Sequence, residues 1–169
     1  MNRVLLASAA LLLLLPAAEG VAKSSDRNQA MNIESDSQSG IVNGDGTTVL
    51  GGNVALSQGS LAINAARAEI IRRNGELSKA IFTGKQVKMR QQLDDGSWMD
   101  AQADRVEYDM TNETITFIGN YTVKSDRGAN SGQRMVYNTV TGNIQSGGDG
   151  SRVRTVIQPK SAPAAQGKK

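Results

Sequence analysis

Apolar and polar residues alternate along most of this 169-residue chain, and no stretch shows a convincing helical pattern. Each candidate strand has one apolar and one polar face, which predicts an all-β antiparallel fold, either a sandwich, a barrel or a jelly roll. Two alternating runs, 54–56 and 61–65, flank Ser57-Gln58-Gly59-Ser60, a short connection typical of a β-hairpin. Gly51-Gly52-Asn53 predicts a bulge, because glycine and asparagine tolerate positive φ.

A signature of a small, a polar, often a basic and then an apolar residue recurs along the chain. Its copies are spaced 30, 38 and 29 residues apart and begin at Ser35 (a degenerate copy), Ala65, Ala103 and Gly132. Each copy leads through an apolar run to a glycine, at Gly52, Gly84, Gly119 and Gly147. New alternating runs start after the first three of these glycines. The pattern predicts about four repeats of short antiparallel strands, with strands ending at the glycines.

Local signals favour further turns and strands. Asn74-Gly75 and Asp94-Asp95-Gly96-Ser97 are typical turn sequences, and Thr111-Asn112-Glu113 predicts another turn. A final strand is predicted within Arg152–Gln158. A short helix over Ala65–Ile71 is the competing interpretation of that segment, although the equivalent segments of the other copies favour strand.

The first 22 residues have the layout of a cleavable secretory signal peptide. Arg3 precedes an apolar run at 4–15, and a small-residue region ends in Gly20-Val21-Ala22. This predicts a signal peptide over residues 1–22, cleaved after Ala22, and an exported protein. An uncleaved anchor is disfavoured because the apolar run is shorter than the ~20 residues that a spanning helix needs.

The rest of the chain has one plausible core, which predicts a single β domain over residues 23–158. Residues 23–30 are polar, and we expect no regular structure there. From Pro159 the sequence has no apolar periodicity, which predicts a disordered C-terminal tail over residues 159–169.

Composition excludes several kinds of chemistry. The chain has no cysteine and no histidine, so it has no disulfide, thiol nucleophile, imidazole base or metal site built on these residues. Its net charge is only +3 and its aromatic content is 4%, without the basic, aromatic-rich pattern of a nucleic-acid-binding surface. We therefore expect no enzyme, no cofactor and no nucleic-acid partner.

Three groups of charged residues are candidate sites. Asp94-Asp95 suggests paired carboxylates or a calcium loop, but the following Gly96 favours a solvated turn. Asp104 and Glu107 are a second carboxylate pair that nothing singles out. The basic residues could contact phosphates, although solubilising charge is the simpler interpretation of Arg72, Arg73, Lys85, Lys88 and Arg90.

The inward face is the most informative set, since it forms either a packed core or an apolar ligand groove. Flexible methionine recurs there, as on adaptable binding surfaces, and small residues lie where bulky ones would fill an interior. The small residues are Ala65, Ala101, Ala103 and Gly132. Strand parity predicts an inward face made of Met31, Ile33, Leu50, Val54, Leu56, Leu61, Ile63, Phe82, Val87, Met89, Tyr108, Met110, Phe117, Tyr121 and Val123. The alternation of inward and outward residues is the same in a packed core and in a ligand groove, so it does not distinguish the two.

Three segments, 31–36, 52–65 and 117–120, resemble the LptA (OstA-like) family of periplasmic lipopolysaccharide-transport proteins. The resemblance covers roughly residues 26–157 and departs from the family at Ala66, where an acidic residue is expected. It implies an open β-jelly roll whose two sheets part like a V. It also implies head-to-tail stacking into a bridge from LptC at the inner membrane to LptD at the outer membrane.

The resemblance further implies that lipid A acyl chains are held between the two sheets. The inward residues expected to contact the lipid are Met31, Ile33, Leu50, Val54, Leu56, Ile63, Phe82, Val87, Met89, Tyr108, Met110, Phe117 and Tyr121.

Three other interpretations of the sequence are a sister protein of the same transport system, a structural repeat protein and an enzyme. Among sister proteins, LptC would keep a membrane anchor and LptD would continue into a long outer-membrane barrel. The alternative of a different class is an exported structural β-repeat protein, a filament or scaffold without a lipid ligand. The uneven repeat spacing argues against it, and an enzyme is the third and weakest hypothesis.

Overall fold

The computed structural model describes residues 24–41, 43–148 and 150–159. The signal peptide predicted for residues 1–22 and nearly all of the predicted tail, residues 160–169, lie outside the described residues. Within the described ranges, no helix is both long enough and apolar enough to cross a membrane.

The described chain is almost entirely β-strand, which confirms the predicted all-β fold. After one short 3-10 helix, Ser24–Asn28, come ten strands. They are β1 (Met31–Glu34), β2 (Ser37–Gly40), β3 (Gly46–Gln58), β4 (Leu61–Arg73), β5 (Glu76–Gln92), β6 (Trp98–Asp109), β7 (Thr114–Ser125), β8 (Gly128–Asn138), β9 (Ile144–Ser146) and β10 (Arg154–Ile157).

All strands belong to one antiparallel sheet that does not close on itself. Its order is β1-β3-β4-β5-β6-β7-β8-β10, while β2 also pairs with β3 and β9 also pairs with β8. Seven of the strand pairs therefore join strands that follow one another directly in sequence, and the five pairs from β3 to β8 form a meander of long hairpins.

Every pair of long strands carries a register shift near its middle. The shifts lie between Gly51 and Val54, Asn64 and Arg67, Thr83 and Val87, Gln102 and Arg105, and Ile118 and Tyr121. Such bulges bend a strand, and the bulge predicted at Gly51-Gly52-Asn53 is confirmed. The sequence predicts short strands that end at the repeat glycines, whereas β3, β5 and β7 continue through Gly52, Gly84 and Gly119 as bends. At Gly147 the prediction is confirmed, because β9 ends at Ser146.

The bends divide the sheet into two layers. Layer A contains β1, β10 and the half-strands 54–58, 61–65, 87–92, 98–103, 121–125 and 128–132. Layer B contains β2, β9 and the half-strands 46–51, 67–73, 76–83, 105–109, 114–118 and 134–138. Ile63 of layer A and Phe82 of layer B are both 0% exposed and belong to one hydrophobic cluster, so the layers face each other.

One alternative interpretation and one local expectation are wrong. Residues 65–71 do not form the alternative helix, because β4 runs unbroken from Leu61 to Arg73. Part of the segment predicted to be irregular is ordered, since Ser24–Asn28 forms the 3-10 helix and Asp26 is buried. The final strand predicted within Arg152–Gln158 is present as the shorter β10.

Candidate functional site

The predicted inward face forms the interior between the layers. Met31, Ile33 and Met110 are half-buried and pack against its margin. The other predicted lipid contacts have at most 6% of their surface exposed: Leu50, Val54, Leu56, Ile63, Phe82, Val87, Met89, Tyr108, Phe117 and Tyr121. The centre of the interior is therefore a continuous packed cluster.

The small residues of the inward face lie within this packing. Gly132 pairs with Tyr121 across β7 and β8, and a Cβ on Gly132 would lie 3.1 Å from the Tyr121 ring. The Tyr121 hydroxyl donates a 2.5 Å hydrogen bond to Oδ1 of Asn130. Ala101 and Ala103 are also buried. The space beside Gly132 is thus occupied by an aromatic ring.

Toward the C-terminal end of the sheet the two layers separate and leave an apolar groove of about 320 Å³. We call this the C-terminal groove. Its walls include Met99 and Val123 from layer A, Leu93 from the β5–β6 connection, and Met135, Tyr137 and Ile144 from layer B, with Val156 and Ile157 of β10 beside them. Ile144 and Ile157 are 57% and 80% exposed, so apolar surface is open to solvent there.

A second groove, of about 240 Å³, lies at the opposite end of the sheet. We call this the N-terminal groove. Met31 and Ile33 of β1 form its layer A wall, and Leu50, Ile70 and Leu77 are among its layer B residues. Arg72 lies on the same groove and provides a cation beside the apolar walls. The interior therefore opens at both ends of the sheet.

The strands at these two ends are edges within the part of the chain that the structure describes. In layer A the edges are β1 and β10, and in layer B they are β2 and β9. Each has a described partner on one side only, so its other side can accept a further strand.

Asp95, the second carboxylate at the β5–β6 turn, has structural partners. Hydrogen bonds from the hydroxyl and backbone N–H of Ser97, at 2.6 and 3.0 Å, hold the pKa of Asp95 below its usual value, and Arg127 adds an ion pair. Asp95 is therefore ionised over a wider pH range than a free aspartate carboxyl group. In the described residues no group of three or more carboxylates could hold a metal ion. These contacts favour the turn over a calcium loop.

Asp104 and Glu107 also have structural partners. Asp104 accepts a hydrogen bond from Asn120, while Glu107 contacts Lys79 at 3.0 Å and Arg105 at 2.8 Å. Burial raises the pKa of Glu107, but the hydrogen bonds from Arg105 and Lys79 outweigh it and the net pKa is lowered. A general acid needs the opposite shift, so this pair does not resemble an acid–base site.

The predicted basic residues do not form one site. Arg72 borders the N-terminal groove. Lys88 and Arg90 lie on the outer face of layer A, where Arg90 is 3.5 Å from Asp100 and its guanidinium lies 4.6 Å from the centre of the Trp98 ring. Arg73 and Lys85 are exposed elsewhere on the sheet.

The 3-10 helix is the feature that the sequence analysis missed. It lies where the hairpin ends of the two layers meet, beside Leu61 of layer A and Tyr108 and Ile115 of layer B. Burial raises the pKa of the Tyr108 hydroxyl there. No local signal in the sequence marks this position, because the contacts join the helix to residues more than 30 positions away.

Three comparisons relate this architecture to known proteins. Residues 32–143 match the family model described as LptA/(LptD N-terminal domain) LPS transport protein. The chain is 32% identical over 160 residues to the lipopolysaccharide export system protein LptA of Haemophilus influenzae, which covers 92% of both chains. It is 30% identical over 159 residues to LptA of Escherichia coli K12, covering 92% of this chain and 84% of that protein.

One solved structure shows the same fold. It is the crystal structure of LptH, the LptA homologous periplasmic component of the lipopolysaccharide transport device of Pseudomonas aeruginosa. It matches with a TM-score of 0.71 at 24% identity and covers 80% of this chain and 99% of that one.

Proposed function

Because the chain belongs to the LptA/(LptD N-terminal domain) family of LPS transport proteins, we propose that it carries lipopolysaccharide by holding lipid A acyl chains between layers A and B. The family resemblance expected from the sequence is confirmed by these matches. The observation that supports the acyl-chain site is the interior itself, which holds one large cluster of buried apolar side chains and opens into a groove at each end of an unclosed sheet.

Such a carrier needs no catalytic step. Each CH₂ group that moves from water into an apolar interior contributes about 0.8 kcal/mol, so several acyl chains supply enough affinity to compete with a membrane. The sugars of the lipid stay in water, outside the layers. The grooves are the entry points, because Met31 at one end and Met99 at the other can change rotamer to fit a flexible chain.

The centre of the interior must widen to hold more than the ends of these chains. The bulges in the middle of each long strand are the places where the angle between the layers can change, since paired strands on either side stay intact. Widening would expose the buried faces of Phe82, Met89 and Phe117 to the acyl chains.

Head-to-tail assembly is part of the same proposal. The end with β1 and β2 differs from the end with β9 and β10, so a contact between them joins two different surfaces. Contacts of that kind build an open filament rather than a closed dimer. In the periplasm such a filament would line up the grooves of successive copies into a bridge from LptC at the inner membrane to LptD at the outer membrane.

Lipid extraction tests the proposed cargo. The protein is purified from its own periplasm without detergent, extracted with solvent, and the extract is analysed by mass spectrometry. We expect lipid A-containing lipopolysaccharide in near-stoichiometric amount. Protein that carries no lipid while still forming filaments would instead support the structural β-repeat alternative.

A further inference from the structure

The 3-10 helix Ser24–Asn28 spans the side of the molecule where the hairpin ends of the two layers approach each other. Beneath it lies a small enclosed space of about 10 Å³, lined on the layer A side by Leu61 and Gln91 and on the layer B side by Tyr108 and Ile115. The apolar residues among them, Leu61, Tyr108 and Ile115, belong to the same hydrophobic cluster that is proposed to hold acyl chains. The helix covers a third route into the interior, separate from the grooves at the two ends.

Several hydrogen bonds fix the helix to layer A. The Ser60 hydroxyl donates to the Asp26 carboxylate and accepts a 3.0 Å hydrogen bond from the Gln92 backbone N–H. Gln58 donates from Nε2 to the carbonyl oxygens of Arg27 and Gln29, at 3.4 and 3.2 Å. The helix is therefore attached to the β3–β4 hairpin at several points.

Asp26 also depends on the glycine at the tip of that hairpin. Gly59 has a φ of +58°, and a Cβ there would lie 2.7 Å from Cγ of Asp26. Any larger residue would displace the carboxylate. Asp26 itself is only 5% exposed, so this attachment is buried as well as hydrogen-bonded.

Among the described residues, one ion pair links the helix to layer B. Nη1 of Arg27 lies 3.4 Å from Oε1 of Glu113, in the β6–β7 turn. The Glu113 backbone is held in place by Thr139, whose N–H and Oγ1 both donate to the Glu113 carbonyl, at 2.9 and 3.0 Å. The side chains of Arg27 and Glu113 are 30% and 46% exposed, and ion pairs of this kind are weak.

We propose that the 3-10 helix is a strap across this side of the molecule that admits acyl chains when its contact with layer B breaks. Hydrogen bonds anchor the strap to layer A, and the Arg27–Glu113 ion pair, which we call the clasp, holds it to layer B. This inference rests on the proposed function and adds a lateral entry to it. The strap has several hydrogen bonds to layer A but only a weak ion pair to layer B among the described residues. It therefore stays with the β3–β4 hairpin when the layers separate. Opening then uncovers Leu61, Tyr108 and Ile115 beside the core.

Cross-linking the clasp tests the strap in the full chain, which offers a cysteine-free background. Arg27→Cys and Glu113→Cys are combined and joined by a bismaleimide linker that contains a reducible disulfide. The matched control joins Arg67→Cys and Glu69→Cys, another ion pair, at 3.3 Å, but within one strand on the outer face of layer B. Both proteins are mixed with purified lipid A bearing a fluorescent acyl chain, and the loading rate and final occupancy are measured.

We expect the linked clasp to slow loading by about tenfold or more, and reduction of the linker to restore the rate, as for a lid that gates entry. The linked control should load like the unmodified protein. A third variant, Arg27→Gln, should load faster by up to about fivefold, the range that a partly exposed ion pair allows.

The two proposals fail in different ways. Equal loading rates for the linked and reduced clasp, with normal occupancy, would overturn the strap and leave the lipid site in place. If the unmodified protein retains no lipid A, the acyl-chain site and the strap both fail. Thermal unfolding of each variant shows whether a change in loading follows a change in stability, and the linked pair is informative even if Arg27→Gln is destabilised.

Discussion

Asn120 donates a 2.8 Å hydrogen bond from Nδ2 to Oδ2 of Asp104, and so joins the bulges of the neighbouring strands β7 and β6. Asn120 has a φ of 46°, and the preceding Gly119 has a φ of 77°. A Cβ on Gly119 would lie 2.6 Å from the same Asp104 oxygen, so only glycine leaves room for the carboxylate. Asp104 of the repeat signature and the Gly119-Asn120 pair that follows it thus stabilise the bend together.

The first copy of the repeat uses the same arrangement. Asn53, with a φ of 45°, donates a 2.8 Å hydrogen bond to Asp36, and Gly52 has a φ of 75°. In the second copy Ala66 takes the place of the acidic residue, and the closest atom to a Cβ on Gly84 would be the Ala66 backbone nitrogen, at 3.2 Å. The departure at Ala66 therefore removes a side-chain link at one bend while the strands there still pair.

Removing the carboxylate at the third bend should destabilise the protein. Asp104→Ala deletes the hydrogen bond to Asn120, whose backbone is held at positive φ, and we expect a loss of about 1 kcal/mol in the free energy of unfolding. Urea denaturation measures the change. Asp126→Ala, at an exposed turn position, is the matched control and should change little. Equal stability of the two variants would show that the bend does not need the bond.

Acid should weaken the outer face of layer B through Glu107. Its folded-state pKa lies below the ordinary value of 4.5, so its ion pairs contribute stability above pH 4.5 that is lost as the pH falls through the folded-state pKa. Glu107→Gln should therefore be less stable than the unmodified chain at pH 7, and the difference should shrink below pH 4.5. Thermal melts from pH 7 to pH 3 measure it. A difference that stays constant over this range would contradict the assignment.

The edges at the two ends of the sheet should produce concentration-dependent assembly. Light scattering over a wide dilution series should show a ladder of sizes, because a head-to-tail contact leaves free edges at every length. Deleting Arg154–Ile157 removes β10 and should weaken the ladder, whereas deleting residues 160–169 should leave it unchanged. A single invariant mass across the series would argue against open-ended stacking.

Processing is tested by intact mass. The signature Gly20-Val21-Ala22 predicts a mature protein that starts at Lys23. Mass spectrometry of periplasmic protein should give the mass of residues 23–169. A species that retains the leucine-rich segment would show that the leader is an anchor.

The sequence predicts the local features of this fold better than its long-range ones. The bulge at Gly51-Gly52-Asn53 and the turn at Asn74-Gly75 follow from residues that tolerate positive φ, a property of the residues themselves. Whether a strand continues past Gly84 or Gly119 depends on pairing with neighbours on both sides, which the sequence pattern does not show. At these two glycines the sequence therefore predicts strand ends, whereas the structure has bends.

For the candidate site, too, the sequence predicts the local features better than the long-range ones. Strand parity identifies the inward residues, and the structure buries Ile63 and Phe117 as expected. The same parity describes both a packed core and a groove, so it does not reveal that the interior is closed in the centre and open at the ends. The strap was missed because Asp26 is buried by Gly59 and Ser60, more than 30 residues further along the chain.

Photo-crosslinking at paired positions on the same strands tests most directly whether acyl chains lie between the layers. A photoreactive residue replaces Met89, which is 2% exposed and faces inward, or its outward neighbour Lys88. The same pairing is made with Ile33 and Asn32, and with Tyr108 and Glu107. Because one step along a strand reverses the face, the inward positions should capture lipopolysaccharide and the outward positions should not.

Met89→Asp complements this measurement, because Met89 is buried in the unloaded protein and a charge there lowers stability in either case. Only if acyl chains contact Met89 when the layers widen does the charge also lower lipid binding per folded molecule. The proposal predicts lipopolysaccharide capture at Met89, Ile33 and Tyr108 alone, together with weaker loading per folded molecule of Met89→Asp. Equal capture by both faces, or a collapsed thermal melt of Met89→Asp with unchanged binding per folded molecule, would contradict it.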